Sequence, residues 1–557
     1  MAANPRGRNI ASAGLDRREF LACMSQTAGA VIAFGARRAF ADGDSIVETT
    51  SGKIRGFSGG TVQVFKGVPY GASTAGKNRF MPPHPPEPWT GIRDTVAYAG
   101  HAPQWPSTTA RRPELKTLLG QPDTTPTGED CLTLNLWTPG LDGSAKRPVM
   151  VWLHGGGMAY GSANRALYDG TNLARRGDVV VVGVNHRLNV FGFLHLADIG
   201  REAYSHSGNA GMLDLVAALR WVHDNIDRFG GDPGNITIFG ESGGGGKVST
   251  LLAMPGAKGL FHRAIIQSGA AIRLSTRERA NALAEAVLKE LGLGKNECDR
   301  LQSVPVERLI AALTPAQQAV GPSPRPMLDR YVFGPVVDGA DLPAHPFDPA
   351  APAASDDIPL VIGNTKDEAS LFLVGDDKVW NGTLTEAELK ARVARVAGAD
   401  TDRVLELYRA RDPKANPAEL LIAALTGGNF WVRSVMLAER KVARNRAPVY
   451  FYAFNWATPA FGGRLKSHHA IDLPFTFDTV DAAGTSAGLP GAQQLGDAMS
   501  ATWAAFARNG TPDNATIPHW PAYTLADRAT VVLDTTCRVD NDPGRDARLL
   551  WGGIAQA

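Results

Sequence analysis

The chain has 557 residues, 44% hydrophobic and 20% charged, so it can bury a large core and does not have the composition of a disordered chain. Lysine and arginine number 57 against 55 acidic residues, and the net charge of +2 gives no reason to expect a nucleic-acid or anionic-membrane partner. The basic excess sits in residues 1–41, where Arg6, Arg8, Arg17, Arg18, Arg37 and Arg38 face only Asp16 and Glu19.

Residues 16–21 read D-R-R-E-F-L, a small and apolar run follows from Leu21 to Ala36, and Ala39-Phe40-Ala41 closes the segment. This resembles a bacterial twin-arginine export signal, which implies cleavage after Ala41 and a periplasmic or secreted mature protein of residues 42–557 with no membrane association. The run is short for a membrane-spanning helix. Three cysteines remain beyond it, Cys131, Cys298 and Cys537, so at least one thiol is unpaired. Neither C-x-x-C nor H-E-x-x-H occurs, and metal chemistry has no support in the sequence.

Continuous apolar runs rich in valine and isoleucine mark strands buried on both faces. They fall at Pro148–Leu153, Asp178–Asn185, Asn235–Phe239, Ala264–Gln267, Ile358–Ile362 and Pro448–Phe454. Helical spacing appears between them, at 210–228 (Leu215, Leu219, Val222, Ile226), 277–292 and 384–410. Strands alternating with helices predict a doubly wound, mostly parallel α/β sheet. Proline-rich stretches at 81–88 and 343–359 read as loops, and helix-rich insertions at about 270–345 and 375–445 as caps over the strand ends. No internal repeat or composition break divides the chain after residue 42.

Two glycine motifs follow predicted strands. Gly240-Glu241-Ser242-Gly243-Gly244 stands between a strand and a helix expected to run through Met254, the setting in which G-x-S-x-G lifts a serine hydroxyl off the sheet on a strained turn. Gly246-Lys247 nearby does not complete a phosphate-binding loop, because Glu241 and Val248 occupy the positions that would need Gly and Ser or Thr. His154-Gly155-Gly156-Gly157 directly follows the Pro148–Leu153 strand, and such glycines can turn backbone amides toward a developing oxyanion.

Phe229-Gly230-Gly231-Asp232-Pro233 through Gly244, Glu129 to Leu136, and Asn185-His186-Arg187-Leu188 with Phe191-Gly192-Phe193-Leu194 together resemble the type-B carboxylesterases. The resemblance runs from about residue 45 to the C-terminus. It implies the α/β-hydrolase fold and hydrolysis of small-molecule carboxylic esters through an acyl-enzyme, with no cofactor. It further implies Ser242 as nucleophile, Glu368 in Gly363–Ser370 as the orienting acid rather than Asp367, and amides of Gly156, Gly157 and Gly243 as the oxyanion hole. Of the adjacent His468 and His469, only His469 starts the family pattern of His, two residues, an acid, two residues and Phe (Asp472, Phe475), which makes it the general base. Phe333 and Phe372 are expected on the acyl side of the pocket, and activity is expected to rise through about pH 6–7 as the histidine loses its proton.

The chain departs from that family twice. Gly243 replaces the usual alanine and opens a run of four glycines, which either loosens the oxyanion loop or makes room for a bulky substrate. Ala102-Pro103-Gln104 stands where many relatives carry the cysteine that bridges to the equivalent of Cys131, so Cys131 is expected as a buried free thiol, while a Cys298–Cys537 pair stays open. An amide or carbamate hydrolase of this fold would show the same triad. A non-catalytic binding module would have lost one member, and none is lost here. The sequence leaves the oligomeric state open.

Overall fold

In the computed structural model, residues 45–105, 118, 121, 123–321 and 333–556 are described. The export-signal reading of residues 1–41 lies outside them. Among the described residues thirteen strands form one sheet: β1 (Ser45–Thr49), β2 (Gly52–Ser58), β3 (Gln63–Pro69), β4 (Ile92–Asp94), β5 (Thr133–Thr138), β6 (Arg147–Leu153), β7 (Val180–Val184), β8 (Gly231–Glu241), β9 (Arg263–Gln267), β10 (Leu360–Thr365), β11 (Val449–Phe454), β12 (Ala529–Leu533) and β13 (Arg538–Asn541). The order is β1-β2-β3-β5-β7-β6-β8-β9-β10-β11-β12-β13, with β4 paired to β2. From β7 through β12 every neighbouring pair is parallel, whereas β1, β2, β3 and β5 join antiparallel, as does β13.

All six strands expected from apolar runs form, within four residues of their expected bounds. Their residues are buried on both faces, with Val180–Val184 fully enclosed, because helices cover each side. The helix α1 (Ala210–Asn225) sets Leu215, Leu219 and Val222 into the larger core, and Ile226 follows in a 3₁₀ turn. The helical pattern at 384–410 is two helices, Glu386–Ala397 and Thr401–Arg411, because Gly398 takes φ +54° and ψ −126°, outside the helical region.

The first insertion, between β9 and β10, contributes helices Arg277–Glu290 and Val306–Val320 to the main core. The second, between β10 and β11, packs a separate small core around Leu389, Leu421 and Trp551. The antiparallel strands give no apolar run. In β1 buried and exposed residues alternate, and β5 buries polar side chains. Buried Asn135 on β5 accepts from the Gly67 N–H at 2.9 Å and donates to Asn164 at 3.0 Å, so its amide is satisfied inside the core. Cys131, Cys298 and Cys537 are all free thiols, which answers the open Cys298–Cys537 pairing, and Cys131 lies buried in the same core cluster as Ala102.

Candidate active site

Strand β8 ends at Glu241, and Ser242 turns the chain into α2 (Gly243–Leu251). Ser242 has φ +57° and ψ −122°, a conformation costly for a side-chain-bearing residue. The turn is held by the Ser242 N–H donating to the Gln267 carbonyl at 2.8 Å and the Gly246 N–H donating to the Ser242 carbonyl at 3.0 Å. Its tightness demands glycine: a Cβ at Gly240 would stand 2.5 Å from the Gly244 carbonyl carbon, and one at Gly244 would overlap the Leu153 carbonyl oxygen.

The run of four glycines leaves neither a loose loop nor an open space. A Cβ at Gly243 would meet the N and Cα of Gly157 at 2.5 Å and its carbonyl oxygen closer still, so the oxyanion loop already occupies that volume. A Cβ at Gly245 would stand 2.9 Å from the Gly269 Cα, and only Gly246 could carry a methyl group at ordinary contact. Gly156 and Gly157 have φ of +94° and +63°. Backbone of Gly157 and Gly243 is thus in direct apposition, as two donors to one oxyanion require.

The loop is tied down at its far end. The Gln104 side chain receives the Gly161 N–H at 2.7 Å and donates to the Gly161 carbonyl at 3.0 Å, and the Asn189 N–H donates to the Met158 carbonyl at 2.6 Å.

Glu368 follows β10 and is fully buried. Its Oε1 accepts the Thr365 N–H at 2.9 Å, and its Oε2 lies 2.5 Å from Nδ1 of His469. Asp367 is engaged elsewhere, accepting the Ser467 N–H at 3.2 Å. The bond to Glu368 sets Nδ1 as the donor, so in the neutral ring Nε2 keeps its lone pair. Nε2 lies 3.0 Å from Oε1 of Glu241, although the direction of approach makes no hydrogen bond. No hydrogen bond joins Ser242 Oγ to His469 among the described residues. Such bonds are often long before substrate arrives.

Burial draws the proton affinity of His469 down, but the Glu241 and Glu368 carboxylates outweigh it and raise the pKa to about 9. This places the titration above the pH 6–7 expected for an ordinary histidine. Burial pushes Glu241 up to about 8 and Asp472 up to about 6. Asp472 is held by Gln267 at 2.9 Å and Tyr452 at 3.0 Å. His468 is also fully buried, pushed down to about 4, and donates from Nδ1 to the His469 carbonyl at 2.7 Å.

Phe372 lies against the His469 ring, centroids 4.9 Å apart, and Phe430 covers it at 5.2 Å. Phe333 is buried in the main core, and its neighbour Gly334 is near Met158 of the glycine loop. The sequence reading missed Phe430, which lies in a π-helical turn, Gly427–Trp431. That turn packs on Trp551: a Cβ at Gly427 would stand 2.6 Å from its Nε1, and one at Gly428 would stand 2.8 Å from its ring. The Gly427-Gly428 pair was the available signal. The reading also gave Glu241 no part in the site, because it is only the variable position of G-x-S-x-G.

Residues 43–548 match the model of the carboxylesterase family. The para-nitrobenzyl esterase of Bacillus subtilis (strain 168) is 37% identical over 506 residues, covering 90% of this chain and 97% of that protein. The solved carboxylesterase EST55 of Geobacillus stearothermophilus is 39% identical, with a TM-score of 0.78 over 91% of this chain and 99% of its own. An esterase of Clostridium hathewayi, described as able to hydrolyse aliphatic aromatic polyesters, is 34% identical, with a TM-score of 0.76 over 92% of this chain and 98% of its own. With its α/β-hydrolase sheet and the serine turn at the end of β8, the chain belongs to the carboxylesterase family and is a carboxylic ester hydrolase.

Proposed function

We propose that ester hydrolysis runs through an acyl-enzyme on Ser242, with His469 as base and then acid and Glu368 as its orienting partner. The observation that carries this is the 2.5 Å contact of Glu368 Oε2 with His469 Nδ1, beside a serine on a strained strand-to-helix turn. Neutral His469 takes the Ser242 proton at Nε2, and the serine oxygen attacks the ester carbonyl. The resulting oxyanion is received by the amides of Gly156, Gly157 and Gly243, and the imidazolium is stabilised by Glu368 and Glu241. His469 then protonates the leaving alcohol. A water molecule repeats the sequence on the acyl-enzyme and releases the acid.

Phe372 and Phe430, packed on the base, favour esters with an aromatic or bulky apolar group next to the scissile bond. Residues 1–41 act as a twin-arginine leader and send the protein to the periplasm or outside. The reading is supported by the paired arginines, the apolar run and the start of the family match at residue 43. Fused to a reporter, they should direct export that is lost when Arg17 and Arg18 both become Lys; export of that variant would refute the reading.

The direct test of the site is hydrolysis of p-nitrophenyl acetate, butyrate and benzoate by the wild type and Ser242→Ala. Loss of at least about a thousandfold in kcat/KM for the folded variant is expected. Equal activity of the two proteins would remove Ser242 from the mechanism.

A further inference from the structure

Lys247 is part of α2, five residues after Ser242, and is entirely buried. Its Nζ donates to the carbonyl oxygen of His154 at 2.8 Å, its only hydrogen bond among the described residues. No carboxylate pairs with it there, and burial alone draws its pKa down to about 7. The groups nearest in charge are His154 and His186, whose rings stack 5.1 Å apart and whose burial keeps both neutral. His154 Nδ1 donates to the Gly155 carbonyl at 2.8 Å, and His186 Nδ1 to the Arg187 carbonyl at 2.7 Å.

A lysine in such a place is expensive. A methionine or leucine would fill similar volume with no charge to desolvate. What the lysine supplies is a donor on the carbonyl of the first residue of His154–Gly157. Gln104 and Asn189 hold the other end of that loop, while Gly156 and Gly157, at φ above +60°, have little intrinsic preference to stay where they are.

We propose that Lys247 is a positioning residue for ester cleavage: its buried ammonium clamps the His154 carbonyl, and so the start of the glycine loop, to the helix that begins at Ser242. The clamp keeps the Gly156 and Gly157 amides in register with that of Gly243, so their donors converge on one oxygen. The proposal rests on the reading of Ser242 and the oxyanion hole given above. It explains why a lysine is tolerated at a fully buried position: it fixes two backbone segments whose relative position matters most in the transition state.

The test compares wild type, Lys247→Met, Lys247→Gln and Ser242→Ala on p-nitrophenyl butyrate, with inhibition by an alkyl trifluoromethyl ketone, whose adduct places an oxyanion in the hole. Lys247→Met should lower kcat about ten- to a hundredfold, leave KM within about threefold, and weaken the ketone by the same factor as kcat. Lys247→Gln, which keeps an N–H donor, should retain more of both. A Lys247→Met protein that loses thermal stability yet keeps kcat and ketone affinity would overturn the proposal and leave the lysine a structural residue only. If that variant does not fold, Lys247→Gln decides: parallel losses in kcat and ketone affinity at constant KM support the clamp, and unchanged ketone affinity overturns it. Activity surviving in Ser242→Ala would mark failure of the site reading itself, a different result from an inert Lys247.

Discussion

Gly243→Ala is a small substitution with a large expected effect. An ordinary Cβ contact is 3.4 Å or longer, and here the N and Cα of Gly157 would stand 2.5 Å from the new methyl group. About 1 Å of displacement must therefore be found. It cannot easily come from α2, whose start is fixed by the hydrogen bonds of Ser242 and Gly246 and by Gly245 against Gly269. It must come from Gly156 and Gly157, which glycine lets move. A 1 Å misplacement near the chemistry can cost on the order of a hundredfold, and outright loss of one oxyanion donor about 3–4 kcal/mol. Alanine also favours a helix over glycine by up to about 1 kcal/mol, so thermal stability should hold or rise while activity falls. The assay is kcat/KM on p-nitrophenyl butyrate beside the melting temperature, with a drop of about a hundredfold expected at unchanged or higher Tm. A variant within about threefold of wild type would refute the reasoning, since it would mean the loop and helix are not in contact as described. In this chain the glycine and the close loop go together.

Glu241→Gln removes the carboxylate facing Nε2 of His469. Because that carboxylate raises the histidine's pKa, its loss should move the acid limb of kcat/KM to lower pH, by about one pH unit or more; a limb that stays in place would show that Glu241 does not act on the base. Phe430→Ala should reduce kcat/KM for p-nitrophenyl benzoate more than for the acetate, by about tenfold in the ratio, and an unchanged ratio would take Phe430 out of the substrate pocket. Asp214→Asn leaves the buried Arg187 guanidinium, held by Asp214 at 2.6 and 2.8 Å, without its counter-charge. About 3–5 kcal/mol of stability should be lost in urea unfolding, and a loss under about 1 kcal/mol would contradict a structural role for the pair.

Most of the parallel half of the sheet was legible because strands β6 to β11 are buried on both faces and need apolar residues throughout; β12, equally apolar and parallel to β11, went unread. Continuous runs such as Val179–Val184 cannot be written any other way. The antiparallel strands were not legible. A strand that alternates, like β1, or that buries hydrogen-bonded Thr and Asn, like β5, leaves no apolar run to read.

At the site, the glycines at 240 and 244 and the strand-to-helix setting declared the serine turn, because only glycine can pass so close to neighbouring backbone. Glu368 and His469 are 101 residues apart, and it was the family resemblance that paired them; the geometry of that pair came with the fold. Three features were decided only by tertiary structure. Glu241 faces His469 because the end of β8 and the histidine loop meet over the sheet. Phe430 reaches the base because a π turn is packed on Trp551. Lys247, a discarded phosphate-loop residue in the sequence, becomes the donor to His154 because α2 runs behind the loop that follows β6. Local sequence determines which backbone conformations are allowed, and hence the elements and the turn. Contacts between groups far apart in the chain depend on how the layers stack, and that stacking sets the charge around the histidine and the space around the oxyanion.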